Sequence, residues 1–600
     1  MILLYAVAVL LLMAAPCTSY NAIQRGILDL QKVSNGFDIR GIVDESLDAK
    51  RGPKLTNDMA FYIGKGFANH VSKKNGGRPV TIGVGRDVRR SGERLSRYFA
   101  AGVSSVDGCR AVCAGLSSTP AMFWSTQKQL VSDVLAYGDA TGCDVSDGLS
   151  CLPFDAAVSI TASHLPTCWN GLKLYTSDTS VGIGEEGIAD LVSSLTDENC
   201  LAKPHAASDN GLKIDFMQIY NTFLKSVMTA LLPETSTHRP LEGLKIALNP
   251  GNGVGYFLLD VLSGLGADLS PSINTLPDDL FPNHPSNPED KECMAATREA
   301  VLVGDADIGI ALDCDADRCG LVCASGNIIN RNNLIALVAK MCLTAGKKKS
   351  YGLSAKRSVI VTDSATSNQL TRYIQSSPLN GQHVRYKKGY RYVIELARAT
   401  ENCVAGFECS GHGAFRENLW VDDGSYTALR AVALLQREKQ QQQQRISGSL
   451  ACSTERYRQS LERGGAEGAS GRVYIADIIK EYADPLESIE LRCDILGGYD
   501  AARGGAALCI ECLQKLVAGS GGLFVEETPS HEGMRVSAPS IGDGWLMIRA
   551  SLHEPVLSIQ VESDAREGCK VMLRELLSRG FRRLEQTVDL GPVLAYAALD

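Results

Sequence analysis

Several familiar signals are missing from this 600-residue chain. Positive charge is not in excess: 60 Lys and Arg stand against 68 Asp and Glu, a net charge of −8. A mild acidic balance argues against nonspecific nucleic-acid binding. The 19 cysteines are odd in number and scattered. Cys509-x-x-Cys512 has no second pair at zinc spacing, so it reads as helical core. Cys143 and Cys151 flank a Gly/Asp/Ser-rich insertion where a disulfide is an open alternative. Met1–Ala15 is the one uninterrupted apolar run, short for a membrane span. With Cys17 and Ser19 behind it, the 1–19 segment resembles a signal peptide, although it lacks a basic n-region. It predicts ER entry and no stable span in the mature chain; a misassigned start, giving a cytoplasmic protein, is the alternative. The proportions that remain, 44% hydrophobic and 21% charged, are those of a globular protein. The length calls for about four domains. Helical patterns cover Asn57–Lys74, Asp215–Leu232 and Tyr256–Leu265, and Ser118-Thr-Pro120 marks a turn. A long helix from Tyr426, with Asp422-Asp423-Gly424 as its cap, runs into Gln440–Gln444, and Glu487–Asp494 opens the last domain.

Asp313-Cys-Asp-Ala-Asp-Arg318 is the most distinctive stretch. In an extended segment alternate side chains share a face, so Asp313, Asp315 and Asp317 converge. Carboxylates held that close repel unless a cation lies between them, and an all-oxygen set suits Mg²⁺ or Ca²⁺. An EF-hand is excluded, because Arg318 stands at its sixth position and Ala324 at its twelfth. An acidic surface turn remains the alternative. Apolar flanks at Asp307–Leu312 and Gly320–Cys323 place the run between two strands.

Three further loops carry chemistry. Val158–Thr161 reads as a strand opening onto Ala162-Ser163-His164-Leu165-Pro166, with Asn170-Gly-Leu-Lys173 behind it. A hydroxyl exposed there can carry a phosphoryl group, with Lys173 as acid or base; a plain loop is the alternative. Gly406-Phe-Glu408-Cys-Ser410-Gly-His412 offers groups suited to sugar hydroxyls, or a polar turn before a capped helix. Arg549-Ala-Ser551-Leu-His553-Glu-Pro555 sits between strand-like Trp545–Ile548 and Val556–Val561. Arg549, Ser551 and His553 can cradle a phosphate dianion, or form a hairpin tip.

Taken in order, these four loops resemble the phosphoserine, metal, sugar and phosphate loops of the α-D-phosphohexomutase superfamily, which includes phosphomannomutase/phosphoglucomutase and phosphoglucosamine mutase. Phe37–Gly41 and Val84-Gly-Arg-Asp-Val-Arg89 resemble its opening motifs. The likeness spans residues 30 to 595. The chain departs from the common pattern at Leu165, Cys314, Leu552 and His553. These positions, with Phe281–Asp290, look most like the plant plastid branch, for which an ER-type leader to a complex plastid would account.

The resemblance implies an α/β protein of four domains around a central cleft: three related α/β domains with mixed sheets and a smaller C-terminal α+β domain. The boundaries expected are 30–205, 206–328, 329–480 and 485–598, with a flexible insertion at 445–472. It implies interconversion of hexose 6-phosphate and hexose 1-phosphate (mannose or glucose) through a phosphoserine and a bound hexose 1,6-bisphosphate. A phosphoglucosamine mutase, a serine-plus-metal phosphatase and a non-catalytic sugar-phosphate binder are the alternatives. Ser163 would be the nucleophile, with Lys173 and His412 as acid/base groups and Arg40 a nearby positive contact. Mg²⁺ would bind Asp313, Asp315, Asp317 and an oxygen on Ser163. Arg318 would neutralise the transferring group, Glu408 and Ser410 would read the sugar, and Lys387, Arg549, Ser551 and His553 would hold the other phosphate. The partners implied are small sugar phosphates.

Overall fold

The computed structural model describes residues 38–43, 53–141, 152–177, 187, 191, 205–206, 212–232, 239–343, 357–452, 472–496, 499–551 and 556–598. The leader, Cys143, Cys151 and His553 lie outside the described residues. The chain divides into two compact units, Met1–Asn330 with Ser410–Ile478, and Arg331–Cys409 with Ile479–Asp600.

The first unit opens with a mixed five-stranded sheet. Its strands are β1 (Ile39–Ile42), β2 (Val80–Arg86), β3 (Cys109–Leu116), β4 (Ala156–Ile160) and β5 (Trp169–Thr176), in the order β1-β5-β4-β2-β3. β2 runs parallel to β3 and β4, whereas β5 is antiparallel to both its neighbours. The helix Asn57–Lys74 is as expected: Thr56 caps it, Asp58 lies in its first turn, and Lys73 and Lys74 close the last. It packs on helix Arg90–Ser104 through glycines. A Cβ on Gly64 would meet the Phe99 carbonyl at 2.2 Å, and one on Gly102 the Phe61 carbonyl at 2.0 Å. Beneath them Phe67, Phe99, Ile82, Val84, Val158 and Ile160 form the core.

A second sheet follows, of β6 (Ile246–Asn249), β7 (Ile308–Leu312), β8 (Cys319–Cys323) and β9 (Ile328–Ile329), in sequence order. β7 and β8 pair antiparallel with Leu312 opposite Cys319, so the acidic run is a hairpin loop. The predicted helix Asp215–Leu232 is Phe216–Leu231, and Trp124 packs against its Phe216, Tyr220 and Phe223.

In the second unit β10 (Val359–Asp363), β11 (Gln382–Tyr386) and β12 (Cys403–Phe407) are parallel, ordered β11-β10-β12. The short β13 (Gly413–Phe415) belongs to the first unit. The C-terminal sheet is wholly antiparallel: β14 (Glu487–Asp494), β15 (Val525–Glu526), β16 (Met534–Ala538), β17 (Gly544–Ala550) and β18 (Val556–Ser563), in the order β14-β18-β17-β16-β15. Leu546, Ile548, Ile559 and Val561 pack with Leu513 and Leu573 of the helices Tyr499–Ala518 and Gly568–Ser578.

Three local expectations are corrected. The Ser118-Thr-Pro120 turn opens a short helix, Thr119–Trp124, with Ser118 as its cap; proline suits a first helical turn. The expected helix Tyr256–Leu265 is a 3₁₀ turn, Val254–Phe257, followed by Leu258–Gly264. The helix that begins at Gly424 continues through the glutamine tract to Cys452, so residues 445–452, expected to open a flexible insertion, are helical. Glutamine is a good helix former, and a run of it extends a helix already nucleated.

Candidate active site

The metal loop is a turn, not the extended run expected from its alternation. Ala316 takes φ +61° and its N–H bonds back to the Asp313 carbonyl at 3.0 Å. The three carboxylates still converge, with one oxygen of each within 4.8 Å of the others. Two glycines admit the backbone needed. A Cβ on Gly253 would lie 2.6 Å from the Cys314 backbone, and one on Gly424 2.4 Å from the Arg318 carbonyl carbon. Cys314 is buried and its Sγ lies 3.4 Å from Asp87 Oδ2.

Each carboxylate has a cationic or hydroxyl partner. Lys173, on β5, donates to Asp315 Oδ2 at 2.9 Å and Asp317 Oδ2 at 2.5 Å. Arg318 Nε donates to Asp313 Oδ2 at 2.9 Å. The Thr119 hydroxyl donates to Asp315 Oδ2 at 2.6 Å. His412 Nδ1 stands 2.7 Å from Asp422 Oδ2 and 3.7 Å from Asp317 Oδ1. Burial shapes the titration. It pushes Asp313 up to about 7, with Asp317 adding to the rise. For Asp317 burial acts the same way, but Lys173, His412 and Arg318 outweigh it and hold the carboxyl well below its ordinary range. Burial also opposes the charge on Lys173, yet Asp315 and Asp317 raise it well above the usual lysine value. The same contest ends at about 9 for His412, where Asp422 and Asp317 prevail. Lys173 is thus a fixed cation, and His412 is the more readily deprotonated of the two.

Two oxygens in this cluster, Asp315 Oδ1 and Asp317 Oδ1, are buried without a hydrogen-bond partner among the described residues. Orphaned, buried carboxylate oxygens are what a hard divalent cation satisfies, and the all-oxygen donor set fits Mg²⁺.

Ser163 follows β4 and takes φ +51°, uncommon for a residue with a side chain. Its Oγ donates to Asp313 Oδ2 at 3.0 Å and lies 3.3 Å from His164 Nδ1 and 3.5 Å from Arg318 Nη2. The hydroxyl is enclosed, with Ser163 1% exposed. Arg40 reaches the Ala162 carbonyl at 3.3 Å and Asp38 at 2.9 Å. Ser410 is half-buried in this same unit.

The other predicted residues belong to the second unit. Glu408, at the end of β12, is buried and accepts the Gly389 N–H at 2.5 Å, beside Lys387. Lys387 Nζ lies 3.4 Å from the centre of the Tyr392 ring. Arg549 ends β17 with its Nε buried and unpartnered, and Nη1 reaches the Ala550 carbonyl at 3.5 Å. The Ser551 N–H bonds to the Val556 carbonyl at 2.8 Å. Lys388 and Arg549 both act on the nearby carboxyl of Glu490, which is held below its ordinary value against the effect of burial.

Sequence reasoning missed Asp422, Thr119 and Asp87. Asp422 was read with Asp423 as helix capping; only Asp423 has that role, accepting the Tyr426 N–H at 2.9 Å. Asp87 lay in a motif noticed for its likeness alone. Thr119 carried no signal, since its contact with Asp315 joins residues far apart in the chain.

This arrangement, a hydroxyl on a carboxylate cluster within an α/β fold, is the one expected of an enzyme of the phosphohexomutase class. Family models for phosphoglucomutase/phosphomannomutase α/β/α domains I, II and III match residues 32–197, 220–326 and 330–451. The chain belongs to the phosphoglucomutase/phosphomannomutase family. It is 26% identical to a phosphoglucomutase of Neisseria gonorrhoeae over 89% of its length and 93% of the relative's. It is 29% identical to a phosphoglucosamine mutase of Clostridium botulinum over 66% of its length and 77% of the relative's. The fold is that of a phosphoglucomutase/phosphomannomutase family protein from Burkholderia thailandensis, with TM-score 0.65, 23% identity, and 92% and 97% of the two chains covered.

Proposed function

We propose that this enzyme interconverts hexose 6-phosphates and hexose 1-phosphates, of glucose or mannose, through a phosphoserine at Ser163. The observation that carries the reading is the 3.0 Å bond between Ser163 Oγ and Asp313, inside a cluster whose cations are already in place. A sugar hydroxyl attacks the phosphorus on Ser163; the Ser163 Oγ–P bond breaks, a sugar O–P bond forms, and hexose 1,6-bisphosphate results. The bisphosphate turns over, and Ser163 Oγ attacks its other phosphorus; that sugar O–P bond breaks, the phosphoserine is regenerated, and the isomeric hexose monophosphate leaves with its freed oxygen protonated. Asp313, Asp315, Asp317 and an oxygen carried by Ser163 would hold a divalent cation, which would supply positive charge to the transferring group. Arg318 adds a second positive charge beside Ser163, and Lys173 keeps Asp315 and Asp317 ionised. His412 exchanges the proton of the sugar hydroxyl, with Asp422 fixing its ring. For the sugar and phosphate loops we keep the expectation from the sequence: Glu408 and Ser410 would bind sugar hydroxyls, and Lys387, Arg549, Ser551 and His553 a phosphate. The enclosure of Ser163 keeps water from the phosphoserine, without which transfer becomes hydrolysis.

A phosphoglucosamine mutase is the second reading, favoured by the likeness to such a relative. Assay with glucose, mannose and glucosamine 1-phosphates, Mg²⁺ and a trace of hexose bisphosphate decides. Conversion to the 6-phosphate with no net release of phosphate is expected. Release of inorganic phosphate would make the protein a phosphatase, and binding without turnover a sugar-phosphate binder. For localisation we keep the leader at residues 1–19 as a signal for ER entry; amino-terminal sequencing of the mature protein tests it.

A further inference from the structure

Arg89 is among the largest fully buried side chains, 1% exposed, and belongs to none of the groups assigned a role so far. An arginine carries five N–H donors and no acceptor. All five are bonded here. Nε donates to Asp87 Oδ2 at 3.1 Å. Nη1 donates to the carbonyls of Pro166 at 2.7 Å and Trp169 at 3.0 Å. Nη2 donates to those of Ser163 and Leu165, both at 2.6 Å. Four of the five acceptors are thus backbone carbonyls, three of the loop between β4 and β5 that carries the nucleophile and one of Trp169, where β5 begins.

The same network holds the other side of Ser163. Asp87 Oδ1 accepts the Arg89 N–H at 2.9 Å, and Asp87 Oδ2 accepts the Thr161 hydroxyl at 2.7 Å. Thr161 Oγ1 accepts the Ser163 N–H at 2.8 Å. The N–H and the C=O of Ser163 are therefore both fixed, and between them lies the left-handed φ of +51°. A side-chain-bearing residue keeps such a conformation only when its surroundings over-determine it, at a cost of order 1–3 kcal/mol. That conformation aims Oγ at Asp313.

We propose that Arg89 is the positioning residue of the nucleophile: its guanidinium draws the loop's carbonyls inward and sets the direction of Ser163 Oγ. It acts through the backbone of Ser163 and donates no hydrogen bond to Asp313, Asp315 or Asp317. A lysine cannot replace it. Three donors on one nitrogen cannot span four carbonyls, whereas the planar fork can. The inference rests on Ser163 being the phosphoryl carrier.

Arg89→Lys in the full-length protein is the test, with Arg89→Ala beside it. A misplacement of about 1 Å costs about a hundredfold in rate, so kcat is expected to fall by about that factor in both. KM for glucose 1-phosphate and Kd for Mg²⁺ are expected to stay within about threefold, because ground-state binding is untouched. In Arg89→Ala, millimolar guanidinium is expected to restore part of the rate at which hexose bisphosphate phosphorylates Ser163, a rescue that a merely structural arginine would not show. If neither variant folds, Thr161→Val removes the bond to the Ser163 N–H and is expected to lower kcat at unchanged KM. An Arg89→Lys enzyme with wild-type kcat, or a loss confined to KM, overturns the proposal, as does full activity in Thr161→Val. Intact-mass measurement of the wild type separates the failures. No phosphate on Ser163 sinks the nucleophile; phosphate there with an unimpaired Arg89→Lys sinks the role of Arg89 alone.

Discussion

Ser163 and its neighbours in the first unit contrast with Arg549 and Lys387 in the second. Around Ser163 the charged groups have internal partners. Lys173 is bound to two aspartates, Arg318 to a third, His412 to Asp422, and Arg89 has all five N–H groups bonded. Arg549 keeps a buried, unpartnered Nε and one long contact, and Lys387 rests on a tyrosine ring. The difference agrees with what each is proposed to do. Transferring a phosphoryl group needs reacting atoms held in one geometry, which a closed network of bonds supplies. Holding a phosphate needs donors not committed elsewhere, because a ligand's oxygens must find N–H groups to bind. Substitutions in the first region should therefore act on kcat and those in the second on KM.

The largest effect is expected for Ser163→Ala. Without a nucleophile, turnover should fall by about 10⁴-fold or more, while the melting temperature barely moves. A coupled assay and phosphopeptide mass spectrometry check both halves; full activity in the variant would remove Ser163 from the reaction. Asp315→Asn comes next. It removes the carboxylate that has one buried oxygen orphaned and the other shared by Lys173 and Thr119. Mg²⁺ affinity measured by calorimetry should drop roughly 10- to 100-fold, with kcat falling in parallel. Unchanged affinity would return the acidic run to an ordinary turn.

The sequence made the fold legible where periodicity and punctuation agree. The helix Asn57–Lys74 and the strand Glu487–Asp494 lie where the pattern put them. It misjudged the Tyr256 region, where a 3₁₀ turn and a helix of seven residues leave too little periodicity to separate them. For the site, the four loops were visible because their polar residues are clustered in sequence. What was hidden is long-range. Thr119 meets Asp315, and Arg89 meets the Ser163 loop, only after strands β2, β4 and β7 have aligned their ends. Even the convergence of the three aspartates was foreseen for the wrong reason, since a turn brings it about where an extended face was expected.

Arg549→Ala should sharpen the contrast from the other side. It removes the planar donor pair best suited to a phosphate that is not being transferred. KM for the sugar phosphate is expected to rise about tenfold with kcat within about a factor of two, the signature of lost uniform binding. The rise should hold at every pH. A fall in kcat at constant KM would place Arg549 with the reacting groups and dissolve the distinction.

The smallest effect concerns stability, and it probes how much charge the first unit can bury when no second cation is provided. Asp423 lies beside Asp422 but has no basic partner among the described residues; the Tyr220 hydroxyl and the N–H groups of Ser425 and Tyr426 are its donors. Burial pushes its carboxyl up to about 7, those hydrogen bonds notwithstanding. The folded-state value is thus raised above the unfolded one, near 3.8. A group raised in this way contributes stability that is complete below the unfolded value and is lost as pH rises through the folded one. Between about pH 4 and 7 the wild type should therefore lose stability to this residue at a slope of up to about 1.4 kcal/mol per pH unit. Asp423→Asn keeps the size and an acceptor oxygen but cannot ionise. Urea melts of both proteins at pH 5, 6, 7 and 8 should show the variant gaining on the wild type as pH rises, most steeply below about 7. A stability difference that stays constant over that range would mean Asp423 is ionised throughout, and that the first unit tolerates a buried carboxylate held by hydroxyl and amide donors alone.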